Sequence, residues 1–116
     1  MVLNDTQQKA IDVCNTIKDA FGNRIGTPKV FDVVDDKDHR QFKIGFVAYN
    51  FFSVVFQCES DIIGCYIESG RQDTISIVSG RHCLSDTDLN SFFADVMQQL
   101  ELRIPDKFLK ANGWIV

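Results

Sequence analysis

Between Phe42 and Ser79, apolar and polar side chains alternate in four runs, 42–49, 51–58, 62–68 and 74–79, each rich in Phe, Ile, Val or Tyr and separated by short polar turns. Such runs predict consecutive β-strands. Successive residues of a strand point to opposite faces, so one face collects Phe42, Ile44, Phe46 and Ala48, then Phe52, Val54, Phe56 and Cys58. Ile63, Cys65 and Ile67 follow, then Ile75 and Ile77. That is the expected core face. The opposite face sets Val47, Tyr49, Val55, Tyr66 and Val78 among Lys, Ser, Thr, Gln and Glu side chains.

A one-residue slip would send every side chain to the wrong side, so the loop lengths fix the register. A three-residue loop, Tyr49-Asn50-Phe51, pairs Ala48 with Phe52 and keeps the heavy faces aligned, and Asn50 tolerates the left-handed conformation such loops use. The same logic gives a four-residue loop at 59–62 and a five-residue loop at 69–73, all ordinary hairpin lengths. An antiparallel meander follows.

The pattern on either side is helical. Ala10, Val13, Cys14, Ile17 and Phe21 form one stripe, predicting a helix over Asp5–Phe21. Asn4 or Asp5 would cap it, each with a Gln three residues later, and Gly22-Asn23 would end it. Thr27-Pro28 opens an extended segment, and 29–34 reads as a first strand at a sheet edge. The charged stretch 35–40 reads as a loop tip. After the meander, Ser85 begins a second helix with Asp86, Thr87 and Asp88 in its first turn. Leu89, Phe92, Phe93, Val96, Met97 and Leu100 keep helical spacing up to a stop before Pro105. The segment 105–110 reads as one short helical turn, and Trp114, Ile115 and Val116 are apolar enough to be expected to pack. The expected fold is α+β: a five-stranded antiparallel meander with an N-terminal helix, a C-terminal helix and a short terminal helical turn, in one domain over residues 1–116.

Composition narrows the function. A chain of 116 residues with 45% hydrophobic side chains and ten Phe can bury a core without staples. It has no apolar run of membrane-spanning length and a polar start unlike a secretory signal, so a cytoplasmic location is expected. The net charge of −4 disfavours direct nucleic-acid binding and favours a basic protein partner. Cys14, Cys58, Cys65 and Cys83 include no Cys-x-x-Cys pair. Buried reduced thiols are expected rather than a disulfide framework or a zinc site.

A meander gathers alternate loops at one end of its sheet. The connections 35–40, 59–62 and 80–85, with the start of the second helix, would bring Asp35, Asp36, Asp38, Glu59, Asp61, Asp86 and Asp88 together against Lys37, Arg40 and Arg81. That imbalance equals the whole net charge. Asp35, Asp36, Asp38, Glu59 and Asp61 are therefore candidate partner-binding residues; solubilising loop carboxylates are the plainer explanation. The outer sheet face, with Tyr49 and Tyr66, is the second candidate surface, because Tyr among small polar residues suits protein interfaces. It is open to a partner only if both helices lie on the other face. His39 and His82 fall at the acidic end, yet in no metal-ligand spacing, and no nucleophile motif is present. No metal, no cofactor and no catalysis are expected.

A small acidic α+β chain, helix, meander and helix, resembles bacterial immunity proteins, which neutralise toxin domains of contact-dependent growth inhibition and related polymorphic toxin systems. The resemblance is of architecture and carries over no individual residue. It implies a non-enzymatic complex with a cognate toxin, often a basic nuclease. The chain is also similar in size and charge to type III secretion chaperones, which would imply a homodimer binding an effector segment.

Overall fold

Asn4 starts the first helix. Its side chain accepts the backbone N–H of Gln7 at 2.7 Å, while the Gln7 side chain accepts the Asn4 N–H at 3.1 Å, a reciprocal box that satisfies two of the helix's orphan donors. The computed structural model describes residues 4–68, 74–78 and 80–114. In it α1, Asp5–Phe21, buries Ala10, Val13, Cys14, Ile17 and Phe21, and ends at Gly22, whose φ of 58° suits a residue without Cβ.

The strands follow as β1, Lys29–Asp36, β2, His39–Ala48, β3, Phe52–Glu59, and β4, Ile62–Glu68, then β5, Thr74–Ser76, and β6, His82–Cys83. They form an antiparallel sheet in the order β1-β2-β3-β4-β5, with β6 also pairing β4. The expected registers hold: Ala48 opposes Phe52, Cys58 opposes Ile63, and Glu68 opposes Thr74. The loop 69–73 itself, like the Ser79 end of the expected last strand, lies outside the described residues. The chain closes with α2, Leu89–Glu101, and α3, Asp106–Ala111.

Both α1 and α2 pack on the face of Phe42, Ile44, Phe46, Val54 and Phe56. The Phe56 ring meets Phe92 and Phe93 of α2 at 5.9 and 5.5 Å, and Phe21 of α1 meets Phe46 and Phe93 at 5.3 and 6.0 Å. The rings meet tilted or edge to face, the arrangements their quadrupoles favour. The other sheet face is therefore covered by neither of these helices.

Several boundaries differ from the sequence reading, each for a local reason. The stretch 35–40 is not a loop: β1 runs to Asp36 and β2 starts at His39, leaving only Lys37-Asp38 as the turn. Exposed edge-strand positions tolerate charge, so the charge run did not mark a break. The second helix starts at Leu89, not Ser85. Asp88 is its N-cap, accepting from the Asn90 N–H at 3.1 Å, while residues Leu84–Asp86 form a 3₁₀ turn held by Asp61. The fifth strand ends at Ser76 and pairing resumes at His82. Ile75, expected in the core, is 48% exposed because β5 is a three-residue outermost strand. Trp114 packs as expected, its ring 5.2 Å from that of Tyr49; Ile115 and Val116 lie outside the described residues.

Candidate functional site

The meander brings three connections to one end, and hydrogen bonds stitch them together. Ser60 N–H donates to the Arg40 carbonyl at 2.8 Å, joining the β1–β2 and β3–β4 turns. Leu84 N–H donates to the Asp61 carbonyl at 2.7 Å, joining the segment before α2. The loop expected over 59–62 closes to the two-residue turn Ser60-Asp61, because Glu59 pairs with Ile62; its φ values of 49° and 69° are the left-handed pair of a type I′ turn.

Within this end the carboxylates divide into two sets. Asp35 faces the helix layer, where it accepts the hydroxyl of the buried Thr6 and lies 3.6 Å from Arg40 Nε, beside the positive end of α1. Asp61 accepts from Ser85 twice, from its N–H at 3.1 Å and its hydroxyl at 2.6 Å. Asp88 caps α2. These three hold the fold. Asp36, Asp38 and Asp86 are exposed and make no hydrogen bond or ion pair among the described residues, and exposed Glu59 accepts only from Gln57 Nε2, at 3.2 Å. Asp36, Asp38, Asp86 and Glu59 are the carboxylates this end presents outward.

From Asp86 and Asp88 a groove of about 760 Å³ runs between α2 and the sheet edge. Phe92 and Asp95 line it from α2, Ile77 and Val78 from the sheet side, and Arg103 from beyond the end of α2. His82 lies in the same groove with its ring 5.7 Å from Phe92. His39 bonds Gln41 at 3.1 Å. No group of three or more His, Cys, Asp or Glu suited to a metal occurs among the described residues.

The outer face corrects the placement of Tyr49. Its ring was expected to stand outward with Tyr66, but it is fully buried, with the hydroxyl donating to Glu101 Oε2 at 2.6 Å. The cause is local: Tyr49 and Asn50 have φ of 58° and 52°. The left-handed conformation takes Tyr49 out of strand alternation and turns its ring onto the helices. Burial, reinforced by the Glu101 bond, raises the pKa of its phenol well above the ordinary value. Val55 is also buried at 2% exposure, although it points outward. It is flanked by Tyr66 on β4 and by Gly45 on β2, over which the Phe31 ring lies. Tyr66 itself is half-buried on the outer face, beside a depression above Gly64.

All four cysteines are free thiols, three buried and Cys83 partly exposed. Burial pushes the Cys65 thiol up to about 12 and raises Cys58 as well, the latter helped by the nearby Asp61 carboxylate. Neither is poised as a nucleophile. Among the described residues no helix is long and apolar enough to cross a membrane. Comparison with protein-family models, with curated proteins and with solved structures finds no match.

Proposed function

We propose that this chain is a non-enzymatic protein-binding inhibitor of the immunity type, which neutralises a basic, nuclease-type toxin domain by binding it. The observation that carries the reading is the outward set Asp36, Asp38, Glu59 and Asp86, drawn from separate connections to one end of the sheet and continued by Asp95 along the groove. Such a surface steers and orients a cationic partner, while the carboxylates that maintain the fold are kept apart from it. Reversing Asp36, Asp38 and Asp86 to Lys should leave the circular dichroism spectrum and melting temperature intact and sharply weaken the complex with a basic partner co-purified from the native host. Wild-type association should slow as salt rises. Binding that is indifferent to both changes would remove the acidic end from the mechanism.

One observation favours the homodimeric secretion chaperone instead. Edge strand β1 exposes Val30, Phe31 and Val33, each by more than a third, and an apolar edge invites pairing with a second chain. A stable dimer of the purified chain would support that reading; a monomer that holds a basic partner would support the inhibitor.

A further inference from the structure

Two glycines interrupt the outer face of the central strands, and they differ. Gly45 of β2 has a neighbour within the chain: a Cβ there would sit 3.3 Å from Phe31 Cε1, a tight contact from which the ring would have to shift by a few tenths of an ångström. Gly64 of β4 has no such neighbour. Its φ is not in the left-handed region, and among the described residues nothing lies within 4 Å of where its Cβ would be. Glycine inside a strand weakens it and often marks a bulge, a tight bend, or close approach by a ligand or another backbone; the register through Gly64 is unbroken, so there is no bulge.

The space above Gly64 is a notch of about 350 Å³ with Gln57, Glu59, Ile62 and Tyr66 among its walls. Register places Gln57 directly across from Gly64, Glu59 across from Ile62, and Tyr66 two residues along the strand. Gln57 Nε2 donates to Glu59 Oε2, steadying the carboxylate at the rim. Among the described residues no cation pairs with it. Lys43, across from Gln57 on β2, has its ammonium 3.4 Å from Asp32, and exposed Arg81 is not among the lining residues.

We propose that this notch receives an arginine side chain of a protein partner. A guanidinium entering above Gly64 would stack on the Tyr66 ring and donate to the Glu59 carboxylate and the Gln57 carbonyl, the planar, bidentate recognition that arginine makes better than lysine. Ile62 would pack on its methylene stem. The proposal rests on the basic-partner reading above for the identity of the molecule that carries the arginine, but the notch can be tested alone.

The test is nuclear magnetic resonance of the labelled full chain titrated with N-acetyl-arginine N-methylamide, with the norleucine analogue as control. Saturable shifts centred on Gly64, Gln57 and Tyr66 are expected for arginine only, weaker in Glu59→Gln and absent in Gly64→Val, whose melting temperature should equal or exceed the wild type. Shifts that are missing, or equal for norleucine, would overturn the proposal. So would a Gly64→Val chain that melts early, because the glycine would then serve the chain's own packing. If a basic partner binds wild type and Gly64→Val alike, the notch is wrong while the inhibitor reading stands. If arginine binds and no basic partner is found, the reading fails and the notch stands.

Discussion

Phe56 and Gln57 are adjacent on β3 but point to opposite layers, the first fully buried between helix rings and the second half-buried on the outer face. Phe56→Ala should destabilise by about 3–5 kcal/mol and Gln57→Ala by far less, measured as denaturant midpoints. Asp35 and Asp36 form a similar pair. Asp35→Ala leaves the buried Thr6 hydroxyl without its acceptor, which should cost about 1–3 kcal/mol, while Asp36→Ala should be near neutral. Cys65 gives a pH signature. Below pH 9 its thiol is neutral both folded and unfolded; above it the unfolded chain ionises first, because the folded value is pushed up to about 12. Stability should therefore fall from pH 9 towards 12, by up to about 1.4 kcal/mol per pH unit from this group, and Cys65→Ala should make the slope shallower while leaving the part due to Cys58 and Tyr49, whose values are also raised. The core side of such pairs was legible because alternation alone assigns it. Tyr49 was not, since one left-handed φ reverses a side chain without leaving a mark in hydrophobicity.

The elements were legible where pattern and turn chemistry agree. The hairpin at Asn50 and the stripe of α1 both obey local rules, and their registers and caps follow. Ends were less legible where polar groups compete for the same role. Ser85, Asp86 and Asp88 can all begin a helix, and the choice fell to Asp88 because Asp61, far away in sequence, occupies Ser85. Asp88→Ala should lower stability by about 1 kcal/mol, whereas Asp86→Ala, two residues earlier and exposed, should not; thermal melts of the two variants check this. The short strand β6 was also hidden: it lies in 80–85, which reads as a connection, and only its pairing of Ile62 with Cys83 and of Ile63 with His82 makes it a strand. The acidic end was foreseen as a set of residues, but its separation into structural and outward carboxylates depends on partners that alternation does not reveal.

At the scale of the whole molecule, the ten residues of β2 hold two unlike ends about 30 Å apart. One is the stitched, carboxylate-rich end. The other is aromatic: Phe51 meets Phe52 and Phe108 at 4.8 and 5.2 Å, and Trp114 lies 6.3 Å from Phe108 and edge-on to Tyr49. The chain has a single tryptophan, and its place at this second end makes it a one-ended optical probe. Its emission should be blind to a cation arriving at the carboxylates, yet should redden as soon as α3 lifts from the β2–β3 hairpin. Titrating a basic partner while watching both emission and mass would therefore separate a ligand that docks from one that pries the domain open.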